Sequence, residues 1–90
     1  MTYEEQLDYA SYLVGQENLA VADAHNVLAH LQRIEDPFKS ICAAVGSPAG
    51  ALATEFQSVL DAQRQALASA NERLQKAKSE HQRLLAKAKL

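Results

Sequence analysis

The chain contains no tryptophan, a single cysteine and only five tyrosine and phenylalanine residues among its 90 amino acids. One cysteine cannot form an internal disulfide, and we interpret Cys42 as a small buried hydrophobic residue. No apolar run approaches the roughly 18 residues of a membrane span. The acidic start, residues 1–5, lacks the apolar core of a secretory signal peptide. We therefore expect no membrane segment, and a location either in the cytoplasm or outside the cell after export without a cleaved leader.

Catalytic and metal-binding patterns are also missing from the sequence. No nucleophile has an evident base, and no pair of carboxylates converges. His25 and His30 are five residues apart and fall on different faces of a helix, whereas His81 falls at a predicted core position. The sequence therefore predicts a protein that is not an enzyme and uses no cofactor or metal.

Charge is moderate, with a net value of -2 and a pI of about 5.8. The basic residues near the C-terminus are mixed with glutamines and acids and are not interleaved with aromatic residues. Nucleic-acid-binding and membrane-binding proteins carry stronger basic patches. We expect binding neither to nucleic acid nor to a membrane.

Two long heptad stripes are the main pattern that the sequence does contain. With Leu7 at position a, apolar residues recur at a, d and g as far as Ile34, and a similar stripe runs from Leu52 to Ala88. Such stripes predict amphipathic helices over about residues 3–35 and 48–88. Thr2 followed by Glu5 is typical of a capping box at the start of the first helix. The a/d/g stripe is wider than a two-stranded seam needs, which favours a helical bundle.

The two stripes are separated by a segment rich in helix breakers. We assign its turn to Pro37, Gly46, Pro48 and Gly50. Residues 37–45 are interpreted as a short helix or as a kinked continuation of the first one. The sequence thus predicts a single all-α domain over residues 1–90. We expect an antiparallel hairpin with a long-short-long helix order, and because its own core is small, pairing into a four-helix bundle.

Charge also predicts the antiparallel direction. Residues 1–36 carry seven acids and one base, whereas residues 71–90 carry six bases and two acids. Closing the hairpin places the acidic start beside the basic end. A fold-back centred near residue 42 then brings Glu17, which occupies a d position, close to Arg64. We predict a Glu17–Arg64 ion pair that fixes the register, because an unpaired acid in the seam is costly to bury.

A second apolar stripe lies on the face of the first helix opposite the predicted core. It consists of Tyr9, Tyr12, Gln16 and Leu19 at 3-4-3 spacing. An exposed apolar stripe can dock a second molecule. We predict that these four residues bind a protein partner, either as a homodimer or as a heterodimer with a related hairpin.

The turn region resembles that of a known family. Residues 43–47, Ala-Ala-Val-Gly-Ser, are followed by small residues, alanines and an aromatic at Phe56. This pattern is similar to the small Trp-x-Gly (WXG-type) helical-hairpin proteins of type VII secretion. Ala44 stands at the family's tryptophan position. The family also carries a C-terminal Tyr-x-x-x-acid signal. At the nearest match in this chain, His81 stands at the tyrosine position and Leu85 at the acid position.

The resemblance implies a function in protein–protein interaction. It implies a small leaderless substrate of a type VII export system, or the partner of such a substrate. The residues alone leave an alternative open, a cytoplasmic adaptor or co-chaperone whose hairpin covers an amphipathic helix of its partner.

Overall fold

A computed structural model describes residues 1–88 as two long helices that pack along each other. Helix α1 spans Tyr3–Val45 and helix α2 spans Gly50–Lys87, with a short 3-10 helix, Ser47–Ala49, between them. The molecule measures 66 × 18 × 16 Å. At about 1.5 Å per residue, α1 alone accounts for nearly all of that length. The predicted all-α antiparallel hairpin is therefore confirmed.

Thr2 caps the start of α1, as its spacing to Glu5 predicts. The Thr2 side-chain oxygen accepts a hydrogen bond from the backbone N–H of Glu5 at 3.2 Å. This bond satisfies one of the first-turn amides that have no partner within the helix. Glu4 and Glu5 also lie in the first turn, where negative charge complements the helix dipole.

Pro37 lies inside α1, so the prediction of a separate short helix over residues 37–45 is wrong. The alternative, in which the first helix continues past the proline, describes the structure. Pro37 has no N–H to donate to the carbonyl of Arg33, which weakens the helix locally. Contacts beyond the proline compensate, because the Phe38 ring packs on Phe56 of α2 with 4.8 Å between ring centroids. Tertiary packing overrides the local helix-breaking preference here.

Gly46 makes the turn between the helices. Its backbone has φ 85° and ψ -148°, and its N–H donates to the carbonyl of Cys42 at 2.9 Å. This is a conformation that residues with a Cβ avoid. Pro48 lies within the following 3-10 helix, and Gly50 begins α2 with ordinary helical angles. The four residues assigned to the turn are thus split, with Pro37 in α1 and the other three at the fold-back.

Gly46 and Gly50 offer a matched pair of substitutions. A Cβ added at either glycine would meet no atom within 4 Å beyond its immediate chain neighbours, so the two sites differ only in backbone conformation. We expect Gly46→Ala to lower the free energy of unfolding by about 1–3 kcal/mol because of its strained angles. Gly50→Ala should raise it by about 0.4–1 kcal/mol, since the helical backbone accepts alanine. Urea denaturation measures both values, and equal effects at the two sites would contradict this turn geometry.

The core is narrow, and its buried side chains are all leucines and alanines among the described residues. Leu60 is completely buried, with 0% of its surface exposed. Small residues let the two helix backbones approach closely, and the leucines fill the remaining space. Among residues 1–88, the buried hydrophobic residues are Ala10, Leu28, Ala49, Leu60, Ala70, Leu74 and Leu84.

Two hydrogen bonds between the helices define the register. The Tyr3 hydroxyl donates to the carbonyl of Leu84 at 2.5 Å, and Gln63 Nε2 donates to the carbonyl of Ala24 at 3.0 Å. The residue numbers of facing positions therefore add up to 87 at these two hydrogen bonds. They add up to 94 at the Phe38–Phe56 contact near the turn. The predicted fold-back centre at residue 42 is wrong. Because α1 continues through Pro37, the chain reverses at residues 46–49 instead.

The predicted Glu17–Arg64 pair is consequently wrong as well. Glu17 accepts a hydrogen bond from Arg73 Nε at 3.1 Å, nine residues further along α2. Arg64 instead pairs with Asp61 on its own helix at 3.3 Å. The expectation that Glu17 needs a basic partner in the seam holds, since only 22% of its side-chain surface is exposed. The identity of that partner changes because the register shifts.

The hairpin has more surface than a compact protein of its size. Its accessible surface is 6444 Å², whereas a globular monomer of 9.8 kDa has about 5,200 Å². Its radius of gyration is 20.0 Å, against about 12 Å for a globular domain of this length. Two helices alone therefore leave much of their surface uncovered.

Candidate interaction surface

The outer face of α1 carries a continuous stripe of exposed side chains. At about 100° per residue, the stripe spans roughly 80° of the helix circumference along residues 9–45. Its seven large hydrophobic residues are each between 47% and 62% exposed. We call this set the outer stripe, and its members are Tyr9, Tyr12, Gln16, Leu19, Asp23, Val27, His30, Ile34, Pro37, Ile41 and Val45.

The outer stripe borders the seam between the helices. Half-buried Ala20 and Phe38 lie only about 20° beyond its edge on the helix circumference. Helix α1 thus has two neighbouring apolar faces, one covered by α2 and one uncovered. A helix in a four-helix bundle has this arrangement, because it packs against two adjacent helices.

Helix α2 extends the apolar surface only near the turn. Leu52 and Val59 are more than half exposed, and the register of the Phe38–Phe56 contact places them across the seam from Ile41 and Ile34. The opposite edge of α1 carries a row of exposed polar residues. Its exposed positions, seven residues apart, are Glu4, Ser11, Asn18, His25, Gln32 and Lys39.

All four residues predicted to bind a partner lie exposed in the outer stripe. Tyr9, Tyr12, Gln16 and Leu19 form its N-terminal part, and their role in binding stays a prediction. The C-terminal part was not predicted, because the heptad pattern assigns Val27 and Ile34 to the hairpin core. The available signal was the apolar residues at position g, Val27, Ile34 and Ile41, because a stripe that is apolar at a, d and g is wider than one neighbouring helix covers.

Charged residues concentrate at the open end of the hairpin. Leu13, Glu17, Arg73, Lys76 and Glu80 line a shallow groove there. On α2, Arg83 Nε donates to Glu80 at 2.8 Å, and this hydrogen bond lowers the pKa of the Glu80 carboxyl. The same bond raises the pKa of Arg83. Nearer the turn, Lys39 pairs with Glu35 on α1 at 3.3 Å.

The described part of the chain contains no cluster suited to a metal ion. Among residues 1–88, no three His, Cys, Asp or Glu side chains are grouped closely enough to coordinate one. Cys42 is a free, half-buried thiol. Over the same residues, neither helix has a stretch that is both long enough and apolar enough to span a membrane.

Comparison with known proteins returns no relative. No protein-family model, curated protein or solved structure matches this chain. The geometry of the hairpin and its outer stripe therefore carries the functional argument.

Proposed function

We propose that this protein is a non-enzymatic helical hairpin that binds a protein partner through the outer stripe of α1. The observation that carries the proposal is the exposure of the stripe's seven large hydrophobic residues. Scattered exposed apolar residues are common on protein surfaces. A contiguous row along one helix is different, because large exposed apolar patches mark interaction sites.

The surface area of the hairpin supports the same function. The chain exposes 6444 Å², which is about 1,200 Å² more than a compact monomer of its mass. A stable protein–protein interface buries about 800 Å² on each partner. The excess is thus large enough to accommodate one complete interface.

We further propose that the partner is itself helical. An apolar stripe with 3-4 spacing matches the ridges and grooves of another helix. A second hairpin, identical or related, that packs on the stripe completes a four-helix bundle. The resemblance of the turn to Trp-x-Gly proteins favours a type VII export substrate, or the partner of one.

A cytoplasmic adaptor or co-chaperone is the alternative function. The same stripe can cover an amphipathic helix of a larger protein, which is a common mode of helix recognition. The two functions differ in where the protein accumulates. An export substrate appears in the culture medium only when the secretion ATPase is active, whereas an adaptor stays in the cell with its partner.

Stripe-dependent retrieval of a partner tests the proposal. A tagged chain is expressed in its own host and the co-purifying proteins are quantified by mass spectrometry. We expect Ile34→Glu to lose the partner that the unmodified chain retains, because it places a charge in the stripe. The matched control is Leu85→Glu, which changes a residue that is 43% exposed and lies on α2 outside the stripe. Identical retrieval by all three proteins would refute the proposal.

A further inference from the structure

We infer that the outer stripe binds a second copy of this chain, with the two α1 helices antiparallel about a two-fold axis close to Val27. This inference rests on the proposed function and names its partner. A two-fold interface requires one surface to complement itself, so each residue must suit the residue that symmetry places opposite. The outer stripe meets this requirement in both its apolar and its polar positions.

The apolar residues of the stripe match one another about this axis. In an antiparallel pair of α1 helices centred near Val27, each residue faces a residue of the second copy. The two residue numbers add up to 53 or 54. Every exposed large hydrophobic residue of α1 then faces another one, and each tyrosine faces an aliphatic residue. The opposed residues are Tyr9 with Val45, Tyr12 with Ile41, Leu19 with Ile34, and Val27 with itself.

The polar residues match as well. Asp23 is the only Asp, Glu, Lys or Arg in the stripe, and His30 is its only histidine. The same axis places Asp23 of one copy opposite His30 of the second copy, twice in the dimer. A carboxylate beside an imidazole can form a hydrogen bond. Within one chain these two residues are seven positions apart, or about 10 Å along the helix, so they form no such pair.

Other arrangements of two α1 helices fit less well. A parallel pair in register places Asp23 against Asp23 of the second copy, and opposed like charges are unfavourable. An antiparallel pair shifted by one heptad toward the N-terminus creates the same clash and leaves Ile41 and Val45 uncovered. A shift by one heptad toward the C-terminus places Asp23 opposite Pro37 and leaves both tyrosines uncovered. The register centred near Val27 alone covers the stripe and pairs its charge.

Symmetry also fixes the position of the α2 helices. A two-fold axis that relates two antiparallel helices is perpendicular to their plane, so both α2 helices lie on the same side of the α1 pair. The result is a four-helix assembly. The exposed surface of each chain exceeds that of a compact monomer by about 1,200 Å², which is sufficient for this contact.

Disulfide trapping between two single-cysteine variants tests the inference. The free thiol is first removed by Cys42→Ser, and Leu19→Cys and Ile34→Cys are then made in separate chains with different tags. Because the two sites face each other across the proposed dimer, mild oxidation of the mixture should link one variant to the other. Each variant alone should link to itself at least about tenfold more slowly, since facing helices must bring the two Cα atoms within roughly 7 Å.

An exposed site on the same helix provides the control. Ala22 is exposed and lies about 60° outside the stripe, so Ala22→Cys should link slowly in every mixture. Faster self-linking of Leu19→Cys than cross-linking to Ile34→Cys would establish a parallel pair and overturn the inference. A monomeric mass at micromolar concentration, measured by light scattering, would also overturn it. The proposed function is tested separately by the retrieval experiment. It is overturned only if substitutions in the outer stripe leave the set of co-purifying proteins unchanged.

Discussion

Leu60→Ala is expected to lower the free energy of unfolding by about 2–5 kcal/mol. Leu60 has no exposed surface and lies in the seam on the turn-proximal part of α2, where removing three carbon atoms leaves a cavity between the helices. Native domains have only about 5–15 kcal/mol of total stability, and a narrow two-helix core lies at the low end. The variant should therefore be largely unfolded at 37 °C. Chemical denaturation followed by circular dichroism measures the change.

Leu85→Ala is the matched control for this core substitution. It removes the same atoms from the same helix, but Leu85 is 43% exposed. We expect a loss well below that at Leu60, because the site leaves no closed cavity and surface substitutions change stability little, within about 0.5 kcal/mol. Equal losses at the two sites would mean that Leu60 does not face α1.

The sequence was sufficient to predict two long antiparallel helices and, as residues of the turn, Gly46, Pro48 and Gly50. Each depends on local chemistry that can be identified in the chain. Thr2 has the side chain and spacing of an N-cap, and Gly46 is the residue type that a positive φ requires. The opposite charges of the two chain ends predicted which way α2 runs. These features do not depend on how the two helices align.

The register could not be predicted, because it depends on whether α1 stops at Pro37. A proline within a helix costs about 3 kcal/mol, so ending the helix at Asp36 was the locally favoured choice. The structure shows Phe38 packed on Phe56 just beyond the proline, with the two rings tilted by 35°. This contact, between residues 18 positions apart, favours continuing the helix. It moves the fold-back toward the C-terminus from the predicted centre at residue 42. As a result, Arg73 replaces Arg64 as the partner of Glu17.

The extent of the outer stripe was predictable only in part. Tyr9 and Tyr12 fall well outside any core position, so their exposure followed from the heptad assignment. Val27 and Ile34 occupy g positions, which either widen a core or face a second partner. In the structure, α2 leaves about half of both side chains exposed. The wide heptad stripe and the tyrosine stripe are then parts of one apolar surface.

The final prediction is that stability depends on protein concentration. If the outer stripe binds a second copy, the folded state is stabilised by mass action, by about 2.7 kcal/mol at a hundred times the dissociation constant. Melting temperature should therefore rise with concentration for the unmodified chain. The melting temperature of Ile34→Glu should be lower and should not change with concentration, because this variant places a charge opposite Leu19 of the second copy.

Leu85→Glu separates loss of association from loss of helix stability in this experiment. It introduces the same charge at an exposed leucine outside the outer stripe, so its melting temperature should still rise with concentration. Thermal melts at several concentrations, followed by circular dichroism, measure all three proteins. A melting temperature of the unmodified chain that does not change between about 1 and 100 μM would show that the folded hairpin gains nothing from self-association in this range. In that case a different chain must cover the seven exposed hydrophobic residues of α1 if the proposed function holds.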